Sequence, residues 1–309
     1  MSTVQTLPEA QVEARVGQVD REFAYENRCK VFKGKFWHET YPAHEALYQG
    51  LPDHRNSRVI ANVSGGTRLL DVGCGFGDML YALRDRYTAL VGVDPSAAMV
   101  GHALDNFAKR GLTTPYQVTQ ALAEALPLGD GQADTVVTTD CYEHIHPEFR
   151  AKALSEIYRV LRPGGELVLV TPSTFWIHAY ALLDNLLTLP RQIKAGKGVR
   201  ILKPTPKNYT EVFCSKRGLL SQLRRAGFKI ERFERVGFYP APERQGFLQP
   251  YMPWIAKHRR LHGAMLGLFR AIQGLRVFNQ KMLVRCVKPG SALLAGAGQV
   301  RAEARKVAA

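Results

Sequence analysis

The sequence predicts an α/β protein built on a doubly wound, mostly parallel sheet. Three observations carry that reading. Short apolar runs at 68–72, 89–93, 116–121, 133–138 and 166–171 alternate with helix-length segments, and strands separated by helices pair in parallel through right-handed crossovers. The first run leads straight into Gly73-Cys74-Gly75-Phe76-Gly77, three glycines at alternate positions. Such a turn lets a backbone approach a ligand closely at the carboxyl end of a strand. The second run ends in an acid, Asp94, 21 residues after Gly73, and an acid there accepts hydrogen bonds from a ribose diol.

Taken in order, residues 1–20 are polar and weakly patterned and read as a flexible N-terminus. Residues 21–63 carry Phe23, Tyr25, Phe32, Phe36, Trp37, Tyr41 and Tyr48, an aromatic density that reads as short cap helices over the mouth of the domain, with 56–63 the last of them. Ser64-Gly65-Gly66 turns the chain into the first strand. A helix over 78–86 opens directly after the glycines. Ser96 stands as the N-cap of a helix over 96–109, with Gly111 just beyond its end. A turn-rich link at 127–132 precedes the fourth strand. A helix over 149–160 follows, and Arg162-Pro163-Gly164-Gly165 turns into the fifth strand.

The alternation then lapses. Residues 172–210 form an insertion expected over the pocket as a lid, with an apolar helix at 176–189 and a basic loop at 191–207. A helix over 215–226, a strand over 228–238 and a proline-rich loop come next. The basic segment 240–276 holds a helix over 255–275 whose Leu261, Met265, Leu268, Ile272 and Leu275 recur at steps of three and four. A last strand spans 281–287, and 289–309 is expected to be a disordered tail. Residues 21–288 read as one domain around a cofactor-binding core at 65–172.

The 309 residues suffice for one large domain with a sizeable core. No run of about 18 apolar residues occurs, so no membrane span is expected. The first residues lack the basic-then-apolar pattern of a secretory signal. Five cysteines, at 29, 74, 141, 214 and 286, include no Cys-x-x-Cys; neither a disulfide framework nor a zinc ribbon is indicated, and a cytoplasmic location fits. The formal charge of +15 is unevenly spread: residues 1–190 hold 17 Lys and Arg against 22 Asp and Glu, whereas residues 191–309 hold 25 against 5. The second part therefore attracts anions. Its helix over 255–275, with Lys257, Arg259, Arg260 and Arg270, suits either a solvated charged face or peripheral contact with an anionic membrane.

Gly73, Gly75 and Gly77 by themselves fit a dinucleotide site, a flavin site or a nucleoside site without phosphate. Dinucleotide folds favour G-x-G-x-x-G, which seats a pyrophosphate on the helix N-terminus. Here the spacing is G-x-G-x-G followed by Asp78, with Asp71 just before the turn. Acids in those places repel a pyrophosphate and attract a ligand carrying an amino group.

Residues 70–77 resemble motif I of the class I S-adenosylmethionine-dependent methyltransferases. Residues 91–94 resemble the acid-ended second strand of that family. Ala123-Glu124-Ala125-Leu126-Pro127-Leu128 is similar to its A-E-x-L-P-F segment, 134–137 to its fourth strand, and Leu161-Arg162-Pro163-Gly164-Gly165 to the loop before its fifth. The resemblance extends over about 65–172 and is nearest the branch with the quinone, sterol and sugar methyltransferases. It implies a seven-stranded, Rossmann-like sheet ending in an antiparallel pair, with an added substrate cap. It implies S-adenosylmethionine as cofactor and S-adenosylhomocysteine as product. The glycine turn of Gly73, Cys74, Gly75 and Gly77 would meet the methionine part, and Asp71 would orient its amino group. Asp94 would bind the ribose hydroxyls, with Pro95 and Met99 lining the adenine and Ala123 and Glu124 against its edge. Asp140 and Cys141 would border the methionine chain and the sulfonium.

Methyl transfer asks for an in-line donor and acceptor, a deprotonated nucleophile and little water. Glu143, His144 and His146 follow the fourth strand, at the sheet edge where ligands bind, and are the candidate acid–base groups. Two histidines and one acid on a short loop do not make a metal site, and no metal is expected. Apolar walls with a few polar tips suit a ring or lipid-like acceptor; Trp37, His38, Tyr41, Tyr142, Phe175, Trp176, His178 and Tyr209 are the candidate acceptor-binding residues. The expected reaction is methylation of a small-molecule or lipid-linked acceptor, at oxygen first and at nitrogen or carbon next. An RNA methyltransferase using the basic part of the chain is the runner-up. Against it, Asp140-Cys141-Tyr142-Glu143 lacks the Asn/Asp-Pro-Pro-Tyr that marks methylation of base amines in that family. A non-enzymatic cofactor-binding or membrane-associated scaffold is the third alternative.

Overall fold

The computed structural model describes residues 14–18, 55–175, 212–237 and 281–290, with isolated positions between 179 and 193 and between 258 and 271. Seven strands form one sheet: β1 (Gly66–Val72), β2 (Tyr87–Asp94), β3 (Tyr116–Gln120), β4 (Ala133–Thr139), β5 (Leu161–Pro172), β6 (Lys229–Val236) and β7 (Lys281–Val287). Their order is β3-β2-β1-β4-β5-β7-β6. The first five pair in parallel, and β7 runs antiparallel between β5 and β6. The described helices around the sheet are α1 (Arg55–Asn62), α2 (Asp78–Leu83), α3 (Ala97–Lys109), α4 (Pro147–Val160) and α5 (Lys216–Arg225).

Side chains alternate across a strand, and the sheet buries both faces. Leu70, Val72, Val91, Val93 and Val136 pack on one side with Leu154 and Ile157 of α4 and Leu219 and Leu223 of α5. Leu69, Leu90, Val137 and Val168 pack on the other with Val59 of α1, Leu80 and Leu83 of α2 and Phe107 of α3. Continuous apolar runs in β1, β2, β4 and β5 follow from this double cover. The doubly wound α/β fold with its terminal antiparallel strands is therefore the observed one.

Several boundaries move. The helix expected to reach residue 86 stops at Leu83 and tightens into a 3-10 turn, Arg84–Arg86. Ser96 holds the N-cap position of α3, but its side chain makes no capping bond. The turn before β5 is absorbed into the strand, which begins at Leu161. Residues 14–18, expected to be flexible, are helical, and the Arg15 guanidinium lies 4.3 Å from the centre of the Phe149 ring. The expected cap helices before residue 55, the lid at 176–210, the basic helix over 255–275 and most of the tail lie wholly or largely outside the described residues. No described helix is long and apolar enough to cross a membrane.

Candidate active site

The glycine turn follows β1 directly. Gly73, Gly75 and Gly77 all have positive φ, at 76°, 51° and 75°, a region that L side chains enter only at a cost. The Gly73 and Cys74 amides both donate to the Val93 carbonyl, at 2.8 and 3.0 Å, which ties the turn to the end of β2. A Cβ on Gly73 would lie 2.5 Å from Cys141 Sγ, and one on Gly77 would lie 2.4 Å from the Phe107 ring. A Cβ on Gly75 meets nothing within 4 Å. Gly73 and Gly77 are thus small because protein packs against them, whereas Gly75 borders open space among the described residues.

Asp94 closes one side of that space. Its Oδ2 accepts from the Gly75 amide at 3.0 Å and its Oδ1 from the Ser96 amide at 2.9 Å. Pro95 and Met99 follow, half-buried, at the start of α3. The Ala121 amide donates to the Asp94 carbonyl at 3.1 Å, and this brings the buried Ala123 and Glu124 to the same edge of the sheet. Burial raises the Glu124 carboxyl above its ordinary value. Arg15 approaches it to 3.9 Å.

Asp71 is the group left unsatisfied. It is 1% exposed, and its Oδ1 is buried without a hydrogen-bond partner. Burial, and then the charges of Asp94 and Asp78, push its carboxyl up to about 8. A buried carboxyl with no cation beside it is costly. Asp78 contributes less than its position implies, because Arg110 pairs with it at 2.9 Å. The acid rim expected from the sequence therefore rests mainly on Asp71 and Asp94.

Beyond β4 the chain turns sharply. Asp140 has φ 54°, and its amide donates to the Val170 carbonyl at 2.9 Å. Its Oδ2 is ion-paired with both Arg55 of α1 and Lys281 of β7. Burial opposes ionisation there, but Lys281 and Arg55 hold the carboxyl well below the usual carboxylate range. Cys141 packs on Gly73; burial, then Asp94 and Glu143, push its thiol far up, so it fills space as a neutral group. Glu143 is buried and accepts from the Thr171 hydroxyl at 2.9 Å. Burial and the charge of Asp140 push its carboxyl up to about 8.

The other expected site residues divide. His144 is half-buried on the 3-10 turn Tyr142–His144. His146 precedes α4 with its side chain 57% exposed and its Nδ1 3.2 Å from Glu148. Tyr142, expected to touch the acceptor, is instead a core residue: it is 1% exposed, and its hydroxyl donates to Gln222 Oε1 at 2.6 Å. An aromatic ring in that place is drawn into the apolar layer beneath α5. Phe175 is 66% exposed. Trp37, His38, Tyr41, Trp176, His178 and Tyr209 lie outside the described residues. Among the described residues no group of three His, Cys, Asp or Glu side chains is placed to hold a metal.

Three site residues had no sequence signal. Arg55 and Lys281 meet Asp140 from 85 residues before it and 141 after it. The β5–β7 register sets Lys281 opposite Pro172, at the carboxyl end of β5. Arg150 is buried under the loop: its guanidinium donates to the carbonyls of Ile145 at 2.9 Å and Val212, and to Cys214 Sγ at 3.0 Å. The Val212 amide in turn donates to the Glu143 carbonyl at 2.8 Å.

A sheet of this order, with a glycine turn after β1, a buried acid without a described partner within β1 and a second acid ending β2, is the arrangement of the class I S-adenosylmethionine-dependent methyltransferases, which this chain resembles. Residues 69–165 match the family model described as a methyltransferase domain. The chain is 35% identical over 109 residues to the ubiquinone/menaquinone biosynthesis C-methyltransferase UbiE of Xanthomonas oryzae, covering 34% of this chain and 42% of that protein. It is 29% identical over 212 residues to the malonyl-[acyl-carrier protein] O-methyltransferase of Geobacter sulfurreducens, covering 68% and 73%. Against two further curated relatives the match spans less than half of their length, 48% and 44%. A crystal structure of a SAM-dependent methyltransferase from Methanosarcina mazei shares the fold at 18% identity and a TM-score of 0.52, over 76% of this chain and 98% of that one.

Proposed function

We propose that this protein transfers a methyl group from S-adenosylmethionine to the oxygen of a small-molecule or lipid-like acceptor and leaves S-adenosylhomocysteine. The observation that carries this reading is Asp71, a buried carboxyl with an unpaired oxygen beside an open glycine turn. Such a group calls for a cation, and the amino group of the cofactor supplies one where a pyrophosphate would be repelled. When bound, S-adenosylmethionine brings an electrophilic methyl on a sulfonium.

The chain's own residues do the rest. Asp71 fixes the amino acid end, and Asp94 presents its carboxylate to the ribose. The left-handed glycines let the backbone approach the ligand closely. Oxygen leads as the acceptor atom because the relative named for O-methylation aligns over 68% of this chain, against 34% for the one named for C-methylation.

The test is incubation with methyl-labelled cofactor and separated cell fractions: lipid extract, polar metabolites and RNA. Label in the lipid or metabolite fraction, released by treatments that cleave methyl esters or ethers, is the expected result. Label confined to RNA overturns the reading. The surplus of cations in residues 191–309 further supports weak, salt-sensitive attachment to anionic lipid. Flotation with anionic vesicles at two salt concentrations checks it; failure to float at low salt removes that part.

A further inference from the structure

We propose that Asp140 orients the methyl acceptor by taking a hydrogen bond from its hydroxyl or amine on Oδ1, while Arg55 and Lys281 fix the carboxylate through Oδ2. The inference rests on the methyl-transfer reading and adds to it both a residue and a substrate class.

Asp140 is the one non-glycine residue with a positive φ among those described. A conformation of that kind is strained and persists where the surroundings over-determine it. Here the bond to the Val170 carbonyl and the two ion pairs do so. The turn sets the carboxylate just past β4, one residue before the cysteine that packs on Gly73. It therefore stands at the carboxyl edge of the sheet, beside the glycine turn.

The two carboxylate oxygens differ. Oδ2 receives both cations, whereas Oδ1 is buried and makes no hydrogen bond with any described residue. A buried acceptor atom left without a donor is destabilising, and an incoming O–H or N–H relieves it. With its charge held by two cations, Asp140 accepts a hydrogen bond without taking the proton. It thus aligns a hydroxyl or amine by its polar hydrogen and leaves a lone pair to face the sulfonium methyl. As the O–CH3 or N–CH3 bond forms, the S–CH3 bond breaks, its electron pair stays on sulfur in S-adenosylhomocysteine, and the acceptor's proton passes to solvent water. A carbon acid, with no polar hydrogen on the reacting atom, gains no such alignment. Glu143 does not compete, because its carboxyl is engaged by Thr171.

The experiment compares wild type with Asp140→Asn, Asp140→Ala and Lys281→Met. Calorimetry measures S-adenosylhomocysteine binding. Label transfer from S-adenosylmethionine is followed to a fixed panel: a phenol, an aliphatic alcohol, a primary amine and a 1,3-dicarbonyl carbon acid. The expected result is transfer to a phenol, alcohol or amine, with kcat/KM falling about 100-fold in both Asp140 variants while S-adenosylhomocysteine affinity stays within about threefold of wild type. The near-isosteric Asp140→Asn serves if Asp140→Ala does not fold. Lys281→Met shifts the acidic limb of the pH profile upward, which a purely structural role would not do.

Unchanged transfer in Asp140→Asn overturns the inference. So does an equal loss of S-adenosylhomocysteine binding, which assigns Asp140 to the cofactor. Label that enters only the carbon acid, or none of the panel while S-adenosylhomocysteine still binds, overturns it too. Failure of wild type to bind S-adenosylhomocysteine is a separate result that removes the methyl-transfer reading and the inference together.

Discussion

The Cys141 sulfur occupies the space that a side chain on Gly73 would need: a Cβ there would come within 2.5 Å of Sγ. The ends of β1 and β4 are thereby locked together at the point where the cofactor cleft opens. Gly73→Ala meets two penalties, the left-handed backbone, worth roughly 1–2 kcal/mol, and overpacking, worth roughly 1–3 kcal/mol. Urea unfolding is expected to show a loss of about 2–5 kcal/mol, with S-adenosylhomocysteine binding abolished. Adding Cys141→Gly removes both the Sγ at 2.5 Å and the Cβ at 2.6 Å and so relieves the overpacking alone. The double variant should therefore regain part of the stability, and a cycle with no coupling would refute the contact.

Asp71 makes stability and binding respond to pH in opposite directions. Its carboxyl stands at about 8 in the folded chain, against an ordinary value of 3.8. The folded state therefore holds an extra proton between those values. The stability from Asp71 is complete below about pH 4 and is lost as the pH rises through about 8. Asp71→Asn removes the dependence, so its melting temperature should gain on wild type between pH 5 and pH 8.5. An ammonium ligand favours the ionised carboxyl, and calorimetry in buffers of different ionisation enthalpy should show proton release when S-adenosylmethionine binds near pH 7. Binding without proton exchange would argue against Asp71 as its partner.

Asp94 and Asp71 should be separable by ligand. Asp94 is bonded to two backbone amides at the end of β2; on the proposed reading it faces the ribose, so Asp94→Asn is expected to weaken S-adenosylhomocysteine and 5′-methylthioadenosine alike, each by about tenfold or more. Asp71→Asn should weaken S-adenosylhomocysteine and spare 5′-methylthioadenosine, which has no amino acid part. Titration of both variants with both ligands checks the assignment. Equal losses across all four pairs would mean that the two acids act only on the fold.

Arg150 staples the loop after β4 to the strand of chain that returns at 212–214. Arg150→Met leaves the Ile145 and Val212 carbonyls without their donor, at about 1–3 kcal/mol for each group left unpaired. Chemical denaturation should register a loss of about 2–5 kcal/mol. Hydrogen exchange should speed up at Val212 and His144, whose amides bond within the stapled segment. Unchanged exchange there would show that the loop holds its shape without the guanidinium.

The parts of this protein that could be read from its sequence are those whose cause is local. Leu69 and Leu70 announce a strand buried on both faces, because neighbouring side chains point to opposite layers. Gly73, Gly75 and Gly77 announce a turn with positive φ, because other residues enter that region only at a cost. Asp94 could be placed because the strand that ends in it sets its position. The glycine turn and the acid at the end of β2 were legible for these reasons.

The surroundings of Asp140 were not. Arg55, Asp140 and Lys281 meet across 226 residues of chain, and only the order of the sheet and the β5–β7 register bring them together. Tyr142 looked like a pocket wall, but its ring fills the layer under α5, a choice made by packing. The charge states of Asp71 and Glu143 were equally out of reach, since burial sets them and burial belongs to the folded chain. The sequence by itself determined the sheet, the glycine turn and the acid at the end of β2, through steric and pattern rules acting within a few residues. Only the tertiary structure decided which charges are paired and which stay bare, because ion pairing and desolvation depend on distances in space that chain separation does not encode.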